Sequence, residues 1–234
     1  MKSLSYYATN LLIIVGLTLT ALVITALGLV ADVERAPLTG LTAAGHDVWL
    51  VGPAAGQLGG SHLDDLLGAD HGGPVPGPDP EAPGRHRQVH AAITAGVARS
   101  VHDLSEGGLA VAAAEWALGG RLGLRLLVDD VPAPTDEVAL EVLFGEGPAR
   151  YLIEADPADH DRLAALVPSA RRIGLTTAET AVVIGASLAV SMDDIQAAFV
   201  HHRPAAPPPP ERATSTRTCT STSTSTSTST GGNR

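Results

Sequence analysis

The segment that most constrains the fold of this chain runs from Ser100 to Leu122 and reads SVHDLSEGGLAVAAAEWALGGRL. Its apolar start predicts a strand. Four polar side chains then crowd a turn: His102, Asp103, Ser105 and Glu106. Gly107 and Gly108 allow the backbone to bend sharply, and the Ala-rich run over 109–118 predicts a closely packed helix. The segment therefore predicts a strand, a polar turn and a helix in one unit, and such a turn can face a ligand.

The composition excludes several classes of function. Aromatic residues make up 3% of the chain, so base stacking on aromatic platforms is not expected. The net charge is -10, and residues 201–234 carry four Arg and one Glu, which leaves -13 on the preceding residues. That charge repels phosphate backbones and argues against nucleic-acid binding. Lys2 is the only lysine and no GKS or GKT occurs, which excludes a Walker-type phosphate loop.

Metal and thiol chemistry are not predicted. Cys219 is the only cysteine, which excludes an intramolecular disulfide and a cysteine-rich zinc site. His86 and His90 lie four residues apart, but without a third ligand a solvated helix face explains them better.

The two ends of the chain differ from its middle. Residues 11–30 form an uncharged apolar stretch that is long enough to cross a bilayer as a helix. The alternative is that Ile24 begins a buried strand of the domain, which leaves 1–23 as an apolar amino-terminal segment or truncated strand region. Residues 201–234 are rich in Pro and in alternating Ser and Thr, which predicts a disordered tail.

Between these ends, strands and helices are expected to alternate. Strands are predicted near 47–52, 123–128, 149–155, 172–176 and 181–186, and helices over 85–97, 135–143, from Asp156 and Pro157 onward, and over 191–200. The irregular alternation favours an α/β (α+β) domain over residues 24–200, with a layered mixed sheet and flanking helices.

A second turn has the features of a helix start. Gly59 and Gly60 precede Ser61, a good N-cap, and Asp64 follows three residues later as in a capping box. The free N–H groups of a helix start can bind an anion, although a tight turn with a cap explains the same residues.

Five segments of this chain resemble, in order, those of a known family. They are ITALGLVADVE, DVWLVGPAAGQLGGSHL, SVHDLSEGGLAVAAAEWAL, VLFGEGPARYLIEAD and RRIGLTTAETAVVIG. Residues from about 24 to 198 are similar to the carboxy-terminal domain of the aminoimidazole ribonucleotide synthetase superfamily, and most closely to the last domain of its phosphoribosylformylglycinamidine synthases. The resemblance implies a PurM C-terminal-like fold.

The resemblance also implies an ATP-dependent carbon–nitrogen ligase of purine biosynthesis. Such an enzyme phosphorylates the amide oxygen of formylglycinamide ribonucleotide and replaces the phosphate with ammonia from a glutaminase subunit. ATP and Mg²⁺ are the implied cofactors, but the family's ATP-binding segments and catalytic histidine have no match here, so no catalytic residue is assigned. Ser3 stands at the family's magnesium-binding asparagine, so no metal ligand is assigned either, and Gly147 stands at the family's usual serine, which weakens a ligand role for that turn.

The expected protein is therefore a cytoplasmic fragment of the synthase that is inactive alone and whose partners are the remaining domains. The alternatives are a docking subunit of a split synthase and a single-pass membrane protein anchored through residues 11–30.

Candidate site residues follow from both turns and from the resemblance. The resemblance places His102, Asp103, Ser105, Glu106 and Glu146 in turns that face a domain interface. Together with Gly59, Gly60 and Ser61 they are the ligand-facing or interface-facing candidates. Turn formation and capping explain the same residues, and contact with a nucleotide or phosphate is the functional alternative.

Overall fold

A computed structural model of the chain describes residues 27–30, 32–33, 36–67, 73, 75–128, 136–185 and 188–201. Its strands are β1 (Asp47–Val51), β2 (Ser100–Asp103), β3 (Gly123–Leu126), β4 (Tyr151–Ala155), β5 (Ala170–Thr177), β6 (Ala181–Ile184) and β7 (Leu188–Ser191). Its helices are α1 (His62–Leu67), α2 (Ala82–Thr94), α3 (Gly108–Gly120), α4 (Asp136–Phe144), α5 (His160–Leu166) and α6 (Met192–His201). A 3-10 turn, Pro157–Asp159, leads into α5.

The seven strands form one mixed sheet in the order β2-β4-β1-β5-β3-β6-β7. β3 and β6 are parallel, whereas the other neighbouring strands are antiparallel. The predicted layered α/β fold with a mixed sheet and flanking helices is confirmed. β7 was not predicted, because a run of four residues directly before a helix start at Ser191 is too short to show a strand period.

The sheet is covered on both faces, which explains why β1 is apolar at every position after Asp47. Val48 and Leu50 belong to the core cluster that includes Trp116 of α3. Trp49 and Val51 point to the opposite face and belong to a second cluster with residues of α2 and α5. Successive strand residues alternate between the faces, so a strand with a helix layer on each side must be apolar throughout.

The predicted strand, turn and helix around the diglycine are confirmed. β2 ends at Asp103, and α3 begins at Gly108. Gly107 has φ 77° and Gly108 has φ 64°, a left-handed conformation that favours glycine. A Cβ at Gly108 would lie 2.6 Å from the carbonyl oxygen of Gly145, so this corner also brings two turns into close contact.

A buried carboxylate joins β4 to three other parts of the structure. Glu154 is fully buried, and its oxygens lie within 3.1 Å of five groups: Thr42 N, Thr42 Oγ1, Ala43 N, His46 Nδ1 and Ser100 Oγ. Trp116 of α3 donates its Nε1 hydrogen to Ser100 Oγ at 2.7 Å. The network therefore joins β4, β2, α3 and the loop before β1.

The prediction of a buried strand from Ile24 onward is wrong for residues 27–30. These residues form no strand, and the side chains of Leu27 and Leu29 are fully exposed. Apolar, β-branched composition predicts a strand, but a strand also needs a neighbour to pair with. Residues 1–26, with most of the predicted membrane helix, and the tail over 202–234 lie outside the described residues. Within the described ranges, no helix has both the length and the apolar character needed to span a bilayer.

Removal of the Glu154 carboxylate should destabilise the fold strongly. Glu154→Ala leaves several buried donors without an acceptor, so we expect the free energy of unfolding to fall by at least about 3 kcal/mol. The matched control is Glu179→Ala, because Glu179 is 66% exposed and lies 3.5 Å from Arg125. That change should cost less than about 1 kcal/mol. Urea unfolding followed by circular dichroism measures both, and equal losses would contradict the role given to Glu154.

Asp47 at the start of β1 forms a second charge cluster. Its side chain is 8% exposed, with Arg172 Nε 2.6 Å from Oδ1 and His160 Nδ1 3.0 Å from Oδ2. Burial raises the pKa of Asp47, but the hydrogen bonds from His160 and Arg172 outweigh it and hold the pKa below its ordinary value of 3.8. The cluster therefore stabilises the folded state when Asp47 is ionised.

The contribution of Asp47 to the stability of the folded chain should decrease at acidic pH. Since its pKa is lower in the folded chain, the contribution is present above pH 3.8 and is lost as the pH falls through the folded-state pKa. We expect Asp47→Asn to lower the free energy of unfolding by about 1–2 kcal/mol at neutral pH. The deficit should shrink below about pH 4. Urea unfolding at pH 7, 5 and 3 tests this, and a deficit that grows on acidification would refute it.

Candidate functional site

Three loops meet at one end of the sheet. β1 and β2 both run antiparallel to β4, so the carboxyl ends of β1 and β2 lie beside the start of β4. The loop after β1 carries Gly59 to Ser61, and the turn after β2 carries Ser105 to Gly107. The turn before β4 carries Glu146. The topology thus brings together turns that are far apart in the sequence.

Glu146 connects all three loops. Its Oε1 accepts hydrogen bonds from the backbone N–H groups of His62 and Gly107, each at 2.9 Å. Its own backbone pairs in both directions with Gln57 in an isolated β-bridge. The carboxylate is 21% exposed, so one side faces the turns and the other faces solvent.

The helix start at Ser61 is confirmed as a capped turn. Ser61 Oγ accepts from the Asp64 N–H at 3.2 Å, and Asp64 Oδ2 lies 3.4 Å from the Gly60 nitrogen. The N–H group of His62 is bonded to Glu146. A side-chain carboxylate therefore lies where a helix start would otherwise attract an external anion.

The Arg150 side chain holds together two of these loops, the one after β1 and the one before β4. It is 2% exposed, and its guanidinium donates to the carbonyl oxygens of Pro53, Ala54 and Gly145 at 3.1, 2.8 and 2.6 Å. Burial, with the nearby charge of Arg171, lowers the pKa of Arg150 to about 10, so it remains a cation at neutral pH. The sequence analysis missed Arg150. The only sign of its role in the sequence is that a cationic residue stands directly before a buried strand.

The three loops enclose an open groove with an acidic lining. A cleft of about 630 Å³ is lined by Gly60, Ser61, His62, Asp64, Asp65, Glu106 and Glu146. His62 Nδ1 lies 3.9 Å from a carboxylate oxygen of Glu106 and equally far from Glu146. The Glu106 side chain is 80% exposed. An adjoining cleft of about 360 Å³ continues past Gly59 and Ser105.

Six of the eight candidate residues line these two clefts: Gly59, Gly60, Ser61, Ser105, Glu106 and Glu146. Asp103 does not line them, but it accepts a hydrogen bond from the hydroxyl of Ser105. His102 faces elsewhere, because its Nε2 lies 3.6 Å from the Glu115 carboxylate on α3 and its Nδ1 lies 2.7 Å from the Asp103 carbonyl oxygen. The sequence analysis missed His62, Asp64 and Asp65 as lining residues.

The side chains that line the groove are not suited to bind a nucleoside triphosphate by themselves. The larger cleft is lined by four carboxylates and, among the described residues, by no Lys or Arg. Nor does the described part of the chain contain a group of three His, Cys, Asp or Glu side chains that could hold a metal ion. His86 instead lies 2.6 Å from the hydroxyl of Tyr151. Like charges repel, so ATP would need cations from elsewhere to occupy this groove.

Comparison with known proteins gives a consistent result. Residues 43–186 match the family model described as AIR synthase related protein, C-terminal domain. The phosphoribosylformylglycinamidine synthase subunit PurL of Bradyrhizobium diazoefficiens is 35% identical over 178 residues, which are 74% of this chain and 23% of that protein. The corresponding subunit of Rhodopseudomonas palustris strain HaA2 is 40% identical over 134 residues, which cover 56% of this chain and 18% of the relative.

Solved structures share the fold. T. maritima PurL complexed with FGAR has a TM-score of 0.57 at 18% identity, over 70% of this chain and 30% of that one. T. maritima PurL complexed with ATP has a TM-score of 0.54 at 18% identity, over 70% and 27% of the two chains. The chain thus spans about a quarter of the length of the curated relatives that it matches over most of its length.

Loss of the Glu146 carboxylate should loosen two loops at once. Glu146→Ala leaves the N–H groups of His62 and Gly107 without an acceptor, so we expect their hydrogen exchange to accelerate at least about 10-fold. Glu106→Ala is the matched control, because Glu106 lines the same groove but accepts neither bond. Amide exchange followed by NMR measures both variants. Unchanged exchange at the two amides in Glu146→Ala would show that Glu146 does not hold the loops.

Proposed function

Because this chain belongs to the AIR synthase related protein C-terminal domain family, we propose that it is the carboxy-terminal lobe of a phosphoribosylformylglycinamidine synthase. The proposed reaction is the ATP-dependent conversion of formylglycinamide ribonucleotide to formylglycinamidine ribonucleotide in purine biosynthesis, in the cytoplasm. One observation carries the proposal: residues 43–186 match the family model, and a PurL subunit is 35% identical over 74% of this chain. The site is compatible with it, because Glu146 and Arg150 hold three loops together around an open groove that, among its described lining, has acids and no cation of its own.

A groove of this kind suits one wall of a site between two domains. Its floor is fixed by buried hydrogen bonds, which keeps the loops rigid without any ligand. ATP and the ribonucleotide both carry phosphate groups, which the four carboxylates of the groove repel. The positive charge that binds phosphate must therefore come from the facing domain or from a metal ion held there. ATP and Mg²⁺ are accordingly proposed as ligands of the assembled synthase.

The groove offers this chain a positioning role in such a site. Ser105 and Glu106 face the cleft from the turn after β2, where they can hydrogen-bond to a facing domain. The His62 imidazole, 3.9 Å from the carboxylate oxygens of Glu106 and Glu146, adds a further polar group to the same wall. We assign no catalytic residue.

The partners in this proposal are the remaining domains of the synthase and a glutaminase subunit that supplies ammonia. The chain spans 23% of the Bradyrhizobium diazoefficiens relative, so roughly three quarters of that protein has no counterpart here. The acidic lining of the groove, which has no Lys or Arg among its described residues, supports the proposal that the chain is inactive by itself.

Activity should therefore require the missing part. The purified chain, given ATP, Mg²⁺, ammonium and formylglycinamide ribonucleotide, should produce no formylglycinamidine ribonucleotide. Mixing it with the Bradyrhizobium diazoefficiens subunit shortened by its matched segment should restore turnover, measured as product by liquid chromatography. The shortened subunit alone is the control and should be inactive. Turnover by the isolated chain would refute its proposed dependence on the missing part, and absence of turnover in the mixture would refute the assignment.

A further inference from the structure

A separate cavity lies on the face of the sheet that α3 covers. It has a volume of about 330 Å³ and shares no lining residue with the two clefts of the acidic groove. Its floor is formed by β6 and β7 and includes the buried side chains of Val182 and Ile184. Residues of α3 and α6 form its walls, and Phe144 at the end of α4 also lines it. We call it the α3–α6 cavity.

The lining of the α3–α6 cavity is apolar at all but two positions. The exceptions are Glu115 of α3 and Asp194 of α6, so the described lining has carboxylates but no Lys, Arg or His. Both phenylalanines of the chain, Phe144 and Phe199, belong to the lining. Apolar cavities of roughly 300–1,000 Å³ that carry a few polar groups are the usual form of small-molecule sites.

The two carboxylates are not bonded to a Lys or an Arg in the described part of the chain. Glu115 is 49% exposed, and its oxygen lies 3.6 Å from Nε2 of His102, which is too far for a hydrogen bond. Asp194 Oδ2 accepts from the Ser191 hydroxyl at 2.6 Å, and the Asp194 N–H donates to the same hydroxyl at 3.1 Å. This cap uses one oxygen of Asp194, so both carboxylates keep acceptor capacity for a ligand.

The chemistry of the lining selects a cation with an apolar body. Aromatic faces and carboxylates both attract positive charge, whereas an apolar floor disfavours a small ion that must lose its water. The geometry selects a small molecule over a helix from another protein. α3 and α6 contact each other, so a third helix with a diameter of about 10 Å has no room between them.

We infer that the α3–α6 cavity binds a small organic ammonium ion. The apolar body of this ligand lies against β6 and β7, and its charged group lies toward the exposed carboxylates of Glu115 and Asp194. Burial of the apolar body supplies affinity, and the two carboxylates supply selectivity for positive charge. The site is independent of the proposed function, because it lies outside the acidic groove.

Three probes with the same apolar body and different charges test this inference. Phenylbutylammonium is the cation, phenylbutanol is the neutral molecule and phenylbutyrate is the anion. Each is titrated at low salt into the full 234-residue chain, and binding is followed by NMR shifts of the backbone amides. We expect phenylbutylammonium to bind with a Kd of about 1 mM or tighter. It should bind at least about 10-fold more tightly than phenylbutanol, and phenylbutyrate should bind most weakly.

Replacement of the two carboxylates should remove the preference for the cation. Glu115→Gln combined with Asp194→Asn removes both charges and keeps a capping oxygen on α6. We expect phenylbutylammonium binding to weaken at least about 10-fold, with phenylbutanol binding unchanged. Asp161→Asn is the matched control. Asp161 is exposed on α5, which packs on the opposite face of the sheet, so its replacement should leave the binding of all three probes unchanged.

The location of the shifts and the order of affinities decide the outcome. The largest shifts should fall on α3 and α6, and shifts confined to residues outside the cavity would overturn the inference. Phenylbutanol binding as tight as that of phenylbutylammonium would also overturn it, because the carboxylates would then select nothing. No binding of the cation below about 10 mM would do the same. None of these results bears on the proposed function, which is tested by turnover.

Discussion

The structure depends on one polar side chain, Glu154, buried in the middle of a sheet. A carboxylate in an apolar core is costly unless every lone pair is used, and Glu154 uses its two oxygens for five donors. These donors come from the loop before β1 and from β2, and Ser100 passes the connection on to Trp116 of α3. A shift of β2 or of that loop relative to β4 would leave buried donors unpaired, so the network fixes the relative positions of the strands.

The same strand also organises the groove. Arg150 directly precedes β4 and Glu154 lies near its end, so one strand carries a buried cation at one end and a buried anion at the other. Neither is paired with the other. The guanidinium is satisfied by three carbonyl oxygens from loops, and the carboxylate mainly by N–H and hydroxyl groups from the loop before β1 and from β2. Because both ends of β4 are anchored in this way, the loops of the groove are supported by the core.

Local signals predicted most of the fold and about half of the site. The diglycine corner at Gly107, the cap at Ser61 and the apolar run of β1 depend on nearby residues, and all three are confirmed. Arg150 and Glu154 were missed because their partners are distant in sequence; Thr42 and Glu154 are 112 residues apart. His102 does not line the groove, and composition could not have told which face of its strand it occupies. The strand predicted from Ile24 is absent over residues 27–30, because local apolar composition does not supply the hydrogen-bonding neighbour that a strand needs.

The acidic groove places a demand on whatever binds there. It begins where β2 ends, after Asp103, and β2 is an edge strand of the sheet, so the groove is open at that side. Four of its lining side chains are carboxylates and, among the described lining residues, none is Lys or Arg. A partner that presents cations to the groove would be attracted and oriented by these charges, whereas one that presents anions would be repelled. Because Glu146 and Arg150 fix the loops through hydrogen bonds within the chain, the groove can present these charges without rearranging.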